Sequence, residues 1–425
     1  MAQLTPALKM RAQVRGWSED LIARAEASNA SARQIETILN VSIEPERIAK
    51  WLDFVENNPD HPFAGAQLIM LQNGGETGLK PTPSEDGMRL SDVDIGSYGV
   101  VPDVWKYRND LPRGTRPVPG LYMPAGYAIY DRTEVWAEGV GDLYEDAIRD
   151  RWIPASDLDW ENREELAPEV ERATGQLCAI YSTYGITEQK VISKWLEEIS
   201  YGFHEVKLFL ATQVYDAGRK VEALRKRALA GSGVIGKAPL GDVCESWYNA
   251  LTFTDMIVAL DVVYKSYELT AFEMAGEWAR SDFDRDLFAR LAADSRRHLE
   301  YGLKHLEWYN RYGERAEEEL AIFFAKAEGG LASELAQSPL EREALTVLYA
   351  DGVERLDAGI EGLRKLREQQ YRDYLSRLAG AGVNRIGEAI GILGLTTQDP
   401  LLLALNPELL AQGQAAGGSD MIRDN

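Results

Sequence analysis

The sequence predicts an all-α fold built of packed helices, and three observations carry that expectation. Strand-like alternation is nearly absent. From about residue 140 to 379, apolar residues recur at helical spacing in long segments separated by turn signals. Two of those segments also share an outline: Asp216-Ala-Gly-Arg-Lys220 and Asp294-Ser-Arg-Arg-His298.

Residues 1–57 read as two or three short amphipathic helices. Trp17, Leu21, Ile22 and Ala25 form one stripe, and Ile48, Trp51, Leu52 and Val55 form another. Across 58–135 periodicity gives way to Pro, Gly and Tyr, which predicts an irregular arm. Its aromatics (Tyr98, Trp105, Tyr107, Tyr122, Tyr127, Tyr130) predict that it packs on something. A helical bundle is expected over 136–382. It begins with an amphipathic helix from Asp142 to Trp152, stopped by Pro154, followed by helices over 168–195 and 197–230. After a Gly/Pro turn from Gly231 to Gly241, further helices fit 242–280, 283–312 (capped by Ser281-Asp282), 314–327 and 338–379. The composition of 383–425 predicts a loose tail.

Composition narrows the classes of function. With 45% hydrophobic residues, 10 Trp and 19 Tyr, the chain can build a sizeable core. A formal charge of −22 argues against nucleic acid or an anionic membrane as partner. Two cysteines, Cys178 and Cys244, are too few for a disulfide framework or a Cys-based zinc site. The strongest apolar run, Leu401 to Leu405, falls far short of the roughly 20 residues a membrane span requires. The segment from Met1 has no apolar signal core. The expectation is a cytoplasmic protein with no membrane span.

Gly231-Ser-Gly-Val-Ile-Gly236-Lys237 matches G-x-G-x-x-G and nearly matches a phosphate loop, with Ala238 where Ser or Thr would stand. Both motifs need a strand feeding the loop. A basic helical segment precedes this one, so it reads as an interhelix turn. His61 lies in a loop, His204 lies more than three turns before the first pentapeptide, and His305 lies about two turns beyond His298.

The pentapeptides have the form of Asp-Glu-x-Arg-His with ligands replaced. Gly302 follows the second, and an entry segment from Tyr144 to Trp160 precedes the bundle. Together these resemble the ferritin-like superfamily, on the side of the ribonucleotide reductase small subunit and the bacterial multicomponent monooxygenases, over about 140–312. The resemblance implies a ferritin-like four-helix bundle with extra helices, whose metal ligands are four Glu and two His.

Carried over by position, the first lone Glu falls on Glu188 and the first Glu-x-x-His pair on Ala217 and Lys220. The second lone Glu falls on Asp261, Lys265 or Glu268, and the second pair on Ser295 and His298. Ala, Ser and Lys cannot bridge two cations, so a normal di-iron centre is not expected. Pairing of Lys220 with Asp294 and of His298 with Asp216 is expected in a metal-free core.

Two functions follow from the resemblance. One is a binding or partner subunit with a degenerate dimetal site, either a homodimer or a heteromer with another helical-bundle protein. The other is an oxidoreductase or lyase-like enzyme acting on a small apolar or aromatic ligand in the same cavity. That enzyme would use Lys220, His298 and Glu188 as its titratable set. Alternatively, a single divalent metal would be held by Glu188, His298 and Asp261 or Glu268.

Overall fold

The computed structural model describes residues 4–28, 30–40, 44–58, 80–96, 99–105, 111, 113, 127–385 and 388. Among these the structure is helical, with isolated β-bridges such as Val104 to Asp131 and Ile129 to Ile199 and no extended strand. His61, Tyr98, Tyr107, Tyr122, the Leu401 to Leu405 run and the side chain of Val55 lie outside the described residues, as does most of the expected arm and tail. None of the described helices is long and apolar enough to cross a membrane. The chain divides into two compact units: residues 1–101 with 109–124, and 102–108 with 125–425.

The first unit contains α1 (Pro6–Val14), α2 (Glu19–Ala27), α3 (Ala32–Asn40), α4 (Pro45–Asn57) and the single turn α5 (Leu90–Val93). Thr5 and Ser18 cap α1 and α2 by accepting from the amides of Leu8 and Leu21. Leu8, Ala12, Trp17, Leu21, Ile22, Ile35, Ile38, Ile48 and Leu52 close one small core, with Trp51 half-buried against it. Both apolar stripes read from the sequence contribute to that core.

The second unit opens with α6 (Val140–Arg149), then two long helices, α7 (Pro168–Glu198) and α8 (His204–Gly231). Pro168 starts α7 where its missing amide costs nothing, and Glu169 and Glu171 complement the helix dipole. The expected 242–280 helix is broken into shorter pieces: α9 (Asp242–Tyr248), α10 (Phe253–Ile257), a π-helical stretch (Val258–Tyr264), α11 (Lys265–Glu273) and α12 (Ala275–Trp278). Thr252 causes one break by capping a fresh start, its hydroxyl accepting from the amide of Asp255.

Next comes α13 (Asp282–Tyr312), whose N-cap is Ser281, as the sequence suggested. Then α14 (Ala316–Gln337) runs ten residues beyond its expected end. Its Gly330 lies where a β-carbon would fall 3.2 Å from the Asp242 carbonyl, so α9 packs close on it. The expected 338–379 helix is two helices, α15 (Pro339–Ala350) and α16 (Leu356–Gly380). Asp351 and Gly352 take left-handed backbone between them, at φ 54° and 127°, and end the first.

Four helical rods pack as antiparallel neighbours in a closed ring: α7, α8, α13 and the α10–π–α11 rod. The pairings show it. Arg227 meets Glu171 while Lys220 meets Glu188; Arg227 meets Asp284 while Arg219 meets Asp294. Thr254 meets His305 while Glu268 meets Ser295, and Trp195 meets Phe253 while Tyr181 meets Phe272. In each case one number rises as the other falls.

Candidate functional site

The ring encloses a cluster of charge rather than a purely apolar core. Glu188 from α7 and Glu268 from α11 are fully buried, and between them lie two lysines from different rods, Lys220 of α8 and Lys265 of α11. Lys220 Nζ donates to Glu188 Oε2 at 2.9 Å and to Glu268 Oε1 at 2.8 Å. Lys265 Nζ donates to Glu188 Oε2 at 3.0 Å and to Glu268 Oε2 at 2.6 Å. Two carboxylates and two ammoniums thus form a square of alternating charge. Ser295 Oγ and Tyr264 Oη complete it by donating to Glu268 at 2.9 and 3.0 Å.

Close helix approach makes the square fit. A β-carbon on Gly185 would fall 3.1 Å from Lys220 Cε and 2.9 Å from Val221 Cγ2, so the glycine lets α8 lie against α7 one turn from Glu188. Gly302 does the same for α13, where a β-carbon would meet that of Asp261 at 2.9 Å. Burial opposes ionisation of Glu268, but Lys220 and Lys265 outweigh it and hold its carboxyl at about 2. Glu188 is likewise held well below the usual carboxylate range, burial being overcome by Lys220, Lys265 and His298. Burial would strip the proton from Lys265, yet the two glutamates push its ammonium upward instead.

A second square lies beside the first. Arg219 pairs with Asp216 and, at 2.8 Å, with Asp294; Arg297 pairs with Asp294 and, at 3.3 Å, with Asp216. Trp152 closes it, its indole donating to Asp294 Oδ2 at 3.0 Å and its ring lying 5.0 Å beneath the Arg219 guanidinium. His298 joins the squares. Its Nε2 lies 3.2 Å from Asp216 Oδ2, and its Nδ1 lies 3.4 Å from Glu188 Oε1 without hydrogen-bond alignment. Burial lowers the His298 pKa, but Asp216 and Glu188 more than reverse this and raise it.

The charge sum is informative. Four carboxylates (Glu188, Glu268, Asp216, Asp294) face four fixed cations (Lys220, Lys265, Arg219, Arg297). The squares are therefore neutral without any added ion. Asp261 stands apart from them, its Oδ1 accepting from Gln213 Nε2 at 2.6 Å. Burial lifts its carboxyl to about 7, against the pull of nearby His298.

Against the sequence expectations, the structure brings Glu188, Lys220, Glu268 and His298 together. It also pairs His298 with Asp216 as expected. The expected Lys220–Asp294 pair does not form: Lys220 reaches inward to the glutamates, while Asp294 is taken by Arg219, Arg297 and Trp152. Of the three residues left open on the third rod, Glu268 and Lys265 face the cluster and Asp261 faces Gln213. His305 is a core residue held between Thr254 and the Trp136 carbonyl, with its imidazole pushed down to about 4 by burial.

Sequence reasoning missed Lys265 as a counter-charge, and it missed both arginines. The arginines had a visible signal, because each pentapeptide is an Asp-x-x-Arg pair at helical spacing. Lys265 had only its i,i+3 relation to Glu268. Compared with models of known protein families the chain matches none, and no curated protein sequence matches it.

Proposed function

We propose that this chain is a ferritin-like bundle protein, related to the di-iron oxidases and oxygenases, whose dimetal site has been replaced by an ammonium–carboxylate square. It acts as a binding or partner subunit rather than as a metal catalyst. The observation that carries this reading is the placement of Lys220 and Lys265 between Glu188 and Glu268.

The residues present do not fit two bridged irons. Ala217 and Ser295 offer no carboxylate, and each ammonium already takes oxygens from both glutamates. A divalent cation would have to displace buried, hydrogen-bonded ammoniums, leaving them uncompensated. Charge-balanced squares instead hold four rods in register, which suits a subunit whose work is done on its surface. Homodimerisation, or pairing with another helical-bundle protein in the cytoplasm, belongs to the same proposal. Iron added anaerobically, followed by desalting and metal analysis, tests it. Near-zero iron per chain is expected, whereas two irons with an oxygen-dependent absorption band sink the reading. Native mass of the chain, alone and coexpressed with a bundle protein carrying intact Glu-x-x-His motifs, tests the partner role.

A second reading, a mononuclear cation on Glu188, His298 and Asp261 or Glu268, gains less. Glu188 Oε1 and His298 Nδ1 are buried without hydrogen-bond partners, but among the described residues these side chains do not converge at ligand distance. About one metal per chain, lost on His298→Ala, would select it. The Schiff-base alternative on Lys220 gains less, because that amine is held between two carboxylates.

A further inference from the structure

The glycine-rich turn after α8 has a use that phosphate binding does not explain. On the outward side of α7 and α8, small residues leave a trough: Ala179 and Ser182 on one helix, Ala228 one turn from Leu224 on the other. The turn folds back over it. Gln176 pins it twice, Nε2 donating to the Lys237 carbonyl at 2.7 Å and Oε1 accepting from the Lys237 amide at 2.9 Å. Gly236 permits this, since a β-carbon there would fall 2.9 Å from Gln176 Cα. Ile235 then forms the far wall and the exposed Ile186 flanks the mouth of a solvent-open groove of about 170 Å³.

That volume suits one small ring. Apolar cavities of about 150 Å³ take up benzene. The rim adds a charge requirement. The exposed Arg225 lines the groove and, among the described residues, makes no ion pair or hydrogen bond; Ser182 lines it too. Cys178 on the floor stays an uncharged thiol at neutral pH, since burial pushes its pKa up to about 12. Phosphate is the wrong guest: the element before the turn is α8, not a strand, and the helix after it is short and opens with Asp242.

We infer that this groove binds a small monocarboxylate of benzoate size, its ring against Ala179, Leu224, Ala228 and Ile235 and its carboxylate on Arg225. The site lies outside the helix ring and is independent of what fills the charged centre. The test uses the full chain with benzoate, toluene and inorganic phosphate, read by calorimetry and ligand-observed NMR. Benzoate binds saturably, toluene about tenfold more weakly, and phosphate does not compete. Arg225→Ala weakens benzoate about tenfold and leaves toluene unchanged. Ser182→Phe, or Ile235→Trp on the turn should the helix variant fold poorly, fills the groove and abolishes both. The inference is overturned if benzoate does not saturate, if phosphate displaces it, if Arg225→Ala leaves its affinity unchanged, or if a filled groove still binds.

Discussion

The two charge squares have the same plan but are assembled differently. In the arginine–aspartate square each helix brings its own pair, Asp216 with Arg219 on α8 and Asp294 with Arg297 on α13. Each pair is neutral before the helices meet. The lysine–glutamate square needs three rods: only Lys265 and Glu268 share one, while Glu188 and Lys220 arrive from α7 and α8. Solvent access differs as well. Arg297 keeps 9% of its surface exposed, whereas Glu188 and Glu268 keep none. The inner square therefore has only one locally neutral pair, Lys265 with Glu268, and its Glu188 and Lys220 charges depend wholly on long-range packing.

That difference ranks the expected effects. Lys265→Met leaves two buried glutamates facing one ammonium and is expected to cost about 3–5 kcal/mol in urea unfolding. Adding Glu268→Gln to it restores charge balance and recovers most of the loss, because a missing pair is far less costly than a broken one. Arg297→Met in the outer square should cost less, about 1.5–3 kcal/mol, because both aspartates keep Arg219 and Asp294 also keeps the Trp152 indole. An equal loss at both positions would erase the contrast between the squares.

pH sharpens the comparison with smaller effects. Glu268 is held at about 2, below its ordinary value of about 4.3, so its contribution is present above that ordinary value. It is lost as pH falls through about 2. Asp261 behaves oppositely: raised to about 7, it favours the fold while protonated, and that contribution fades as pH rises from about 4 toward 7. His298, also raised, contributes below about 6.5 and loses its contribution as pH climbs through its folded value. Asp261→Asn should flatten the decline in stability between about pH 4 and 7. A variant whose stability profile matches the parent's would rule out Asp261 as its source.

The same contrast governs what the sequence revealed. The α7, α8 and α13 rods and the Ser281 cap are local or periodic features, and each was legible. The outer square was half-legible, since Asp-x-x-Arg is written twice within single turns. The inner square was not, because nothing local says that Lys220 will reach Glu188 and Glu268 rather than Asp294. A π-helical stretch at Val258–Tyr264 added to the difficulty: it widens the helix just before Lys265 and changes which of Asp261, Lys265 and Glu268 faces inward. Asp351 and Gly352 mattered similarly for α15 and α16, since two residues of left-handed backbone split one periodic run.

The claim that two protonated lysines stand where a dimetal site would be is tested most directly by observing their ammonium groups. With ¹⁵N-labelled lysine, Lys220 and Lys265 should give slowly exchanging NH₃⁺ resonances, each removed by its own Lys→Met substitution and both unchanged by stoichiometric ferrous iron. Absence of those signals, or their broadening as iron enters between Glu188 and Glu268, would contradict the account.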